Sequence, residues 1–262
     1  MPARTSGPQD AKGVPLRPLG PGGRLVYNPT VLAQQGLKHL DSWRRTGLRV
    51  HLGHARAIAG VLESQARTRG GRRWQFHRYD RHGQGLESPW VNANSHGLTL
   101  SFLSRYHELE GGDRKLAAAE ELMAAFERRP RHRLWFSMVR DRRVWFEHWP
   151  DGRQRQVLNG HINAVLGLYD YWLVSRSKGA ERYIQGGLAT VRGKLRLFRR
   201  PGQLSRYSIT SPTYTLHYHR THIHQLGALA RISGDPWFRR QARRFRSDER
   251  AWLVRSAAAN TP

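Results

Sequence analysis

The sequence predicts an all-α fold, an (α/α) toroid or incomplete barrel of helical hairpins that also carries a small β-hairpin. The first observation is that apolar residues recur at steps of three and four along most of the chain, as they do on one face of a helix. The second is that glycines end these helical stretches at similar separations. The stretches predicted to be helical are 30–43, 55–67, 98–109, 114–128, 158–174, 180–197, 221–232 and 236–254.

Glycines at four positions indicate how the helices pair. Gly47, Gly112, Gly179 and Gly234 each end one helical stretch shortly before the next begins, at separations of 65, 67 and 55 residues. At two of these joints an Asp follows the glycine, as expected for a residue that caps the next helix. Four hairpins with long returning connections favour a ring of hairpins. The alternative is an irregular bundle in which the spacing is a coincidence.

One β-hairpin is predicted between the helices. β-forming residues in 134–139 and 143–147 flank the polar, turn-prone segment 140–143. The second strand leads into 147–152, where Pro and Asp-Gly end it. Polar side chains would then lie on a loop held by rigid neighbours, which is a common location for a binding site.

The chain divides into an N-terminal arm and one domain. Residues 1–23 are rich in Pro, Gly and small polar residues without periodicity, which predicts a disordered arm. Residues 24–255 then form the toroid domain. No apolar run approaches the ~20 residues of a membrane span, and the first twenty residues lack the apolar core of a secretory signal. We therefore expect a cytoplasmic protein.

The composition restricts the chemistry. The absence of cysteine excludes disulfides, cysteine nucleophiles and thiolate metal sites. The formal net charge of +26 indicates an anionic partner or substrate. Only five of the 45 basic residues are Lys, and the planar Arg fork grips carboxylate, sulfate or phosphate groups with two hydrogen bonds. A genome-wide preference for Arg over Lys on solvated faces is the alternative explanation.

The densest group of polar and aromatic residues lies between 205 and 225. A metal site is disfavoured there, because cysteine and nearby carboxylates are absent and one helix cannot direct all the histidines to one ion. A packed, hydrogen-bonded wall of His and Tyr is a second interpretation. A site for an anionic, ring-shaped ligand is the third. The residues in question are Arg206, Tyr207, Tyr214, His217, Tyr218, His219, Arg220, His222 and His224.

Several motifs together resemble one enzyme family. The segments 144–150 (VWFEHWP), 157–160 (VLNG) and 166–170 (LGLYD) are similar to the WYEEYP, VLNG and IGLYD run of the glucuronyl C5-epimerase family. The matches are collinear over about 27–246, which makes the resemblance far more specific than any single motif. Three further segments resemble the family: 33–37 (AQQGL), 90–97 (WVNANSHG) and 218–226 (YHRTHIHQL).

This resemblance implies a toroid enzyme that inverts C5 of glucuronic acid in a heparosan-like acidic polysaccharide, giving iduronic acid. It also implies a possible homodimer, and we expect neither a cofactor nor a metal. The reaction needs a base for the C5 proton, a cation or hydrogen-bond donor for the carboxylate-stabilised carbanion, and an acid on the opposite ring face. A tyrosine can serve as the base or the acid when a nearby cation lowers its pKa.

The resemblance assigns residues to these roles. Tyr218 occupies the position of one catalytic tyrosine of the family. Tyr207 is the candidate for the second, with Tyr214 competing for that role. Arg220 and Arg206 could neutralise the substrate carboxylate. Further substrate contacts are predicted for Trp149, Asn94, His96, His222 and Tyr214.

One departure from the family concerns its catalytic carboxylate. That position is occupied by His148, and the adjacent family Tyr is replaced by Trp149, while Glu147 is retained next to them. Adjacent side chains on a strand point to opposite faces, so Glu147 cannot replace the lost carboxylate without a bulge. His148 could act as a general base near neutral pH. The change could equally mean another uronate substrate or a loss of catalysis.

Four residues of these motifs are predicted to be structural. Trp90 and Trp145 are expected in the core rather than as platforms for a sugar ring. Asn159 and Gly160 are expected to cap and pack the start of a helix without touching a ligand.

Three functions therefore remain open from the sequence. The first is a uronyl epimerase that acts on an acidic glycan. The second is a toroid polysaccharide lyase, which shares the first proton abstraction but ends in elimination. The third is a protein that binds an anionic polymer without catalysis. Nucleic acid is disfavoured as that polymer, because no basic-helix or RNA-binding motif is present.

Overall fold

A computed structural model describes residues 3, 7–19, 23–127, 134–140 and 143–258, and over these residues the all-α prediction is confirmed. Each predicted helical stretch corresponds to one observed helix. None of these helices is both long and apolar enough to cross a membrane. The helices are α1 (Pro29–Thr46), α2 (Arg49–Gln65), α3 (Ala93–Glu110), α4 (Asp113–Ala125), α5 (Leu158–Ser175), α6 (Lys178–Lys194), α7 (Leu216–Ser233) and α8 (Pro236–Ala258).

The helices pair as four consecutive hairpins. The odd-numbered helices form the inner layer, in which α3 packs between α1 and α5, and α5 also packs against α7. Each even-numbered helix packs on the outside of the helix that precedes it. The core lies between the two layers, where apolar stripes of both are buried. This arrangement confirms the predicted (α/α) toroid.

Glycines set the closest approach of the inner helices. A Cβ atom added to Gly97 on α3 would lie 2.5 Å from the Ala164 Cα atom of α5, and one added to Gly167 on α5 would collide with the backbone of Gly97. Both glycines belong to motifs that were identified in the sequence. They are therefore positions of helix contact, where any side chain would force the backbones apart.

Gly97→Ala is expected to destabilise the domain by about 1–3 kcal/mol, because the added methyl group overpacks the contact between α3 and α5. Gly60→Ala is the matched control, since Gly60 is an exposed position of α2 with no atom within 4 Å of an added Cβ. The control should stabilise the domain by up to about 1 kcal/mol through helix propensity. Urea unfolding measures both changes, and equal free energies for the two variants would contradict the assigned contact.

Three two-stranded antiparallel hairpins accompany the helices in the described residues. The third of these hairpins is the one predicted from the sequence, which is thereby confirmed; in it Ser137 is opposite Phe146. Residues 141–142 of its predicted turn lie outside the described residues. The strands are β1 (Arg17–Pro18) with β2 (Leu25–Val26), β3 (Ala66–Arg69) with β4 (Arg72–Gln75), and β5 (Ser137–Arg140) with β6 (Arg143–Phe146).

The β3–β4 hairpin was not predicted from the sequence, because its arginine-rich strands show no apolar alternation. Its turn is formed by Gly70 and Gly71, both with positive φ values of 56° and 66°. A Gly-Gly pair is a typical two-residue hairpin turn, since both positions need φ values that other residues avoid. That pair was the signal available in the sequence.

Two of the four predicted glycine joints have the expected geometry. Gly47 and Gly234 end α1 and α7 in the left-handed conformation. The prediction for Gly179 was wrong, because this residue lies in the first turn of α6. Ser177 caps that helix instead, with its hydroxyl accepting a hydrogen bond from the Ala180 N–H group.

The joint between α3 and α4 also differs in detail. Gly111, rather than Gly112, follows the last residue of α3. Gly112 is the N-cap of α4, and Asp113 is the first residue of the helix rather than its cap. The carboxylate of Asp113 still lies in the first helical turn, where it interacts favourably with the helix dipole.

The N-terminal segment differs from the predicted disordered arm wherever it is described. Val14 is fully buried in the core, and strand β1 pairs with β2. Asp10 accepts a hydrogen bond of 2.7 Å from the Tyr27 hydroxyl. One buried apolar residue and these hydrogen bonds fasten residues 7–19 to the domain, in spite of their polar composition.

Candidate active site

Side chains from three separate segments meet at the N-terminal ends of the inner helices. The Tyr207 and Tyr218 ring centroids are 4.3 Å apart, and the His148 ring lies 6.5 Å from Tyr207 and 4.3 Å from Trp149. The Arg81 guanidinium carbon lies 5.3 Å from the Trp149 ring, within the range of a cation–π contact. We call these five residues the aromatic cluster.

Local hydrogen bonds place the two tyrosines. The Thr215 side chain caps α7 by accepting a hydrogen bond from the Tyr218 N–H group, which holds Tyr218 in the first turn. The Tyr207 carbonyl accepts from the Leu158 N–H group at the start of α5, and its own N–H group donates to the Thr213 carbonyl. Tyr207 is thereby held between the beginnings of α5 and α7.

His148 is buried at the base of the cluster, with 8% of its surface exposed and with no hydrogen-bond partner for its Nδ1 atom among the described residues. Burial, with a smaller contribution from the positive charge of Arg81, lowers the pKa of His148 to about 3. The imidazole is therefore neutral at pH 7. This differs from the expectation of a base that titrates near neutrality, because the site excludes the water that would solvate an imidazolium ion.

The space beside His148 depends on Gly160. A Cβ atom at Gly160 would lie 2.5 Å from the His148 Nδ1 atom. The prediction that Gly160 packs closely is therefore confirmed. The prediction that Asn159 caps α5 was wrong, because Val157 is the residue at the N-cap position.

Glu147 directly follows strand β6, which ends at Phe146, and its side chain is bound by the backbone of the loop that comes after it. Its buried carboxylate accepts backbone hydrogen bonds from His148 at 3.1 Å, Trp149 at 3.5 Å and Gln156 at 3.3 Å. Desolvation raises the pKa of Glu147 to about 7 in spite of these bonds. Glu147 therefore holds the loop 147–156 together, and this position does not fit the role of a catalytic residue, for which Glu147 was a candidate as the carboxylate retained beside His148.

A buried layer supports the cluster from below. The His77 ring stacks on Trp90 with a centroid separation of 3.9 Å, and Trp90 in turn contacts Trp149 at 5.7 Å. The two His77 nitrogens pair with the Tyr79 hydroxyl at 2.9 Å and with the Ser95 hydroxyl at 3.1 Å. The predicted core position of Trp90 is confirmed, and that of Trp145, which is 4% exposed, is confirmed too.

A model of the protein family described as D-glucuronyl C5-epimerase C-terminus matches residues 66–247. The chain belongs to this family. The family resemblance inferred from the motifs is thereby confirmed, and it supports a carbohydrate epimerase of the isomerase class. All five residues of the aromatic cluster lie within the matched part of the chain.

Two solved structures are similar to the toroid. One is a selenomethionine derivative of a GH76 alpha-mannanase from Bacteroides thetaiotaomicron, at 9% sequence identity and a TM-score of 0.56, with 84% of this chain and 56% of that chain covered. The other is a cellobiose 2-epimerase from Bacillus thermoamylovorans, at 11% identity and a TM-score of 0.57, with 83% and 58% covered. At these identities the likeness concerns the fold, and this chain spans a little over half of each of them.

Two residues assigned from the family motifs lie away from the cluster. Arg220 is exposed, and its Nε atom forms an ion pair of 2.6 Å with the Glu249 carboxylate on α8. Residues two apart on a helix point in nearly opposite directions, so Arg220 cannot share the face of Tyr218. Tyr214 is also exposed, with the Arg200 guanidinium 4.1 Å from its ring centroid.

Two of the predicted contact residues are core histidines. His222 is fully buried and pairs with the Ser205 hydroxyl at 2.9 Å. His96 donates to the Asn92 carbonyl and accepts from the Gln75 N–H group. Burial lowers the pKa of each to about 3. The interpretation as a hydrogen-bonded wall therefore fits these histidines better than substrate binding does.

Asn94 and Arg206 occupy intermediate positions. Asn94 is buried, and its side-chain oxygen accepts a hydrogen bond of 2.8 Å from Asn163, which ties α3 to α5. Arg206 is half-buried next to Tyr207, and its N–H group donates to the Phe198 carbonyl. Their predicted contacts with substrate stay predictions.

No role was predicted from the sequence for the segment 77–81 (HRYDR). It contributes the cation of the aromatic cluster, Arg81, and the buried pair of His77 and Tyr79. The available signal was the alternation of aromatic and charged residues directly after strand β4. No family motif identified in the sequence covered this segment, so no role was assigned to it.

The opposite end of the inner layer has a different character. The C-terminal parts of α1, α3, α5 and α7 surround a cavity of about 350 Å³, whose lining includes Arg44, Arg105, Asp170 and Arg231. Arg105 forms an ion pair with Asp170 there. None of the predicted site residues lines this cavity.

Proposed function

We propose that this protein inverts C5 of glucuronic acid residues in a heparosan-type acidic polysaccharide. The observation that carries the proposal is the close approach of Tyr207 and Tyr218 beside the Arg81 cation. Two phenols and a guanidinium supply the groups that the reaction needs: a proton donor, a proton acceptor and a counter-charge for the uronate carboxylate. Trp149 was predicted to contact the substrate, but it is buried, with 8% of its surface exposed, and packs at the base of the cluster.

The raised pKa of Tyr207 suggests that this phenol is the proton donor. Burial raises the pKa of Tyr207, and so does the nearby Tyr218, with which it forms a hydrogen bond. Tyr207 is thus protonated at neutral pH and returns a proton to C5. Tyr218 starts as the phenolate and accepts the C5 proton, while Tyr207 donates its hydroxyl proton to C5 from the opposite side. The two hydroxyls then exchange protons with water, which restores the starting state and allows solvent deuterium to reach C5.

Arg81 stabilises the intermediate in this scheme. When C5 loses its proton, the electron pair delocalises into the carboxylate and doubles its negative charge. The guanidinium can grip both carboxylate oxygens through two parallel hydrogen bonds. In this proposal Arg81 takes the role that the sequence assigned to Arg220 and Arg206.

Solvent exchange tests the proposal. Heparosan incubated with the protein in deuterium oxide should gain deuterium at C5 of its uronate residues, which nuclear magnetic resonance detects at that carbon. Ultraviolet absorbance of an unsaturated uronate should not appear, because reprotonation replaces elimination. Absorbance without exchange would identify a lyase instead.

A second candidate is a homologue that binds an anionic glycan without turning it over. One observation favours it: His148, at the position of the family carboxylate, is neutral and has a pKa of about 3. In that case heparosan binds and no deuterium enters.

His148→Glu separates the two candidates. If the family carboxylate is what turnover lacks, this variant should gain exchange by at least about 10-fold over the native protein, within the range of one general acid–base group. If the native protein already exchanges through Tyr207 and Tyr218, the variant should not exceed it. The rate of deuterium incorporation into heparosan measures both outcomes.

A further inference from the structure

Helix α8 presents a basic face to solvent. It packs on α7 through Phe238, Gln241, Ala242 and Phe245, which are buried, so its opposite side faces outward. Between positions 239 and 250, every exposed residue is Arg except Ser247. The exposed arginines are Arg239, Arg240, Arg243, Arg244, Arg246 and Arg250.

Four of these arginines form a straight line. Arg239, Arg243, Arg246 and Arg250 are separated by four, three and four residues, which keeps them on one strip of the helix. A rise of 1.5 Å per residue spaces them by about 6, 4.5 and 6 Å, over a total length of about 16 Å. We call these four residues the arginine stripe.

The negative charges of α8 do not neutralise the stripe. Its two acids, Asp248 and Glu249, pair with Arg199 and Arg220 of neighbouring segments. Over the described ranges, no arginine of the stripe takes part in an ion pair. By contrast, outer helix α4 carries two basic residues against three acids. The excess positive charge is therefore concentrated on α8 rather than spread evenly over the outer helices.

The stripe leads toward the aromatic cluster. Glu249, adjacent to Arg250, is paired with Arg220, which is two residues from Tyr218 on α7. His219, next to Tyr218, stacks on Phe245 of α8. The C-terminal end of the stripe thus lies at the same end of the toroid as Tyr218.

We infer that the arginine stripe is a docking surface for an extended acidic polysaccharide, along which the chain beyond the reacting sugar lies. This inference rests on the proposed function. Closely spaced guanidinium groups without acidic partners suit a chain of carboxylates, each of which can accept two hydrogen bonds. A single-stranded nucleic acid fits less well, because exposed positions between 239 and 250 offer no aromatic side chain on which bases could stack.

Two variants of the full chain test this surface, each with four exposed basic residues replaced by Gln. The stripe variant changes the four stripe arginines. The control variant changes Arg49, Arg69, Lys178 and Arg182, which are exposed on other elements. Both lose the same net charge, so a difference between them reports position. Thermal melting followed by circular dichroism checks that both remain folded.

The measurement is the dissociation constant of long heparosan over a series of salt concentrations. The stripe variant should bind about 100-fold more weakly at 0.1 M salt, and its slope of log affinity against log salt should be shallower by about 3, as expected for four lost ionic contacts. The control variant should lose less than about 3-fold. Replacement of the stripe by Lys should retain the slope. Equal losses in the two Gln variants would overturn the inference, as would tighter binding of single-stranded DNA than of heparosan at matched salt.

A short uronate oligosaccharide separates this inference from the proposed function. The oligosaccharide is chosen to be short enough to bind at the cluster without reaching the stripe. The stripe variant should therefore incorporate deuterium into this oligosaccharide at the native rate. Stripe-dependent binding of long heparosan without any exchange by the native protein would refute the epimerase and leave the docking surface standing. If the native protein exchanges deuterium and the stripe variant binds long heparosan as tightly as the native protein, the docking surface would be refuted and the epimerase would stand.

Discussion

Tyr218→Phe is expected to slow deuterium exchange at C5 of heparosan by about 10²–10⁴-fold, the contribution of one positioned acid–base group. The substitution removes a single hydroxyl from the surface of the cluster and leaves the ring that stacks on Tyr207. The free energy of unfolding should therefore change by less than about 1 kcal/mol. The exchange rate and a urea titration measure the two quantities separately.

Tyr214→Phe is the matched control for this experiment. Tyr214 is exposed, contacts the Arg200 guanidinium and lies outside the aromatic cluster. Its exchange rate should equal that of the native protein. If Tyr214→Phe lost as much activity as Tyr218→Phe, or if Tyr218→Phe retained full activity, the assignment of Tyr218 would be refuted.

Mild acid is expected to unfold the domain. Six buried histidines have pKa values lowered by desolvation, to about 3 or 4 in five cases and well below the usual value for His77. The unfolded chain binds protons on these residues below pH 6.5, while the folded chain does not. Their contribution to stability is therefore complete above pH 6.5 and is lost as the pH falls toward 3. The other five residues are His39, His96, His148, His161 and His222.

The size of this effect is comparable to the whole stability of a domain. At pH 5 each such histidine lowers the free energy of unfolding by about 2 kcal/mol. The pH is then about 1.5 units below the pKa of an unfolded histidine, and one unit corresponds to about 1.4 kcal/mol. Six together fall within the 5–15 kcal/mol that stabilises a typical domain. Glu147 has the opposite effect between pH 4.5 and 7 because its pKa is raised, and it offsets about one of the six histidines.

Urea unfolding followed by tryptophan fluorescence, repeated from pH 8 to pH 5, measures this loss. The slope of stability against pH gives the number of protons taken up on unfolding, which should approach five near pH 5. His222→Gln should lower that number by about one. His217→Gln, an exposed position on the same helix, should leave it unchanged. A free energy of unfolding that is constant from pH 7 to pH 5 would contradict the prediction.

Most of the helical framework could be predicted because apolar periodicity is a local property. Every helix was found, yet α7 begins at Leu216 rather than near Thr221, because Thr215 caps the helix five residues upstream of the apolar run. The β3–β4 hairpin was missed, since its polar strands carry no such period. Val14 was placed in an arm for a related reason: the few apolar residues near it show no helical or strand period, although they are enough to fasten the segment to the domain.

The candidate site was predicted in part. Tyr218, His148 and Trp149 were identified from ordered motifs and Tyr207 as a candidate upstream of Tyr218, and these four side chains do meet. Arg81 could not be identified, because 126 residues separate it from Tyr207 and no motif links them.

By itself the sequence determined the helical periodicity, the family of the chain and the position of Tyr218 within a family motif. These depend on the order of residues along the chain. Only the tertiary structure decided which cation faces the tyrosines, that Arg220 pairs with Glu249 instead, and that His148 stays neutral. The physical reason is that a charge and its solvation depend on every group within a few ångströms, and the folded chain brings those groups from segments far apart in sequence.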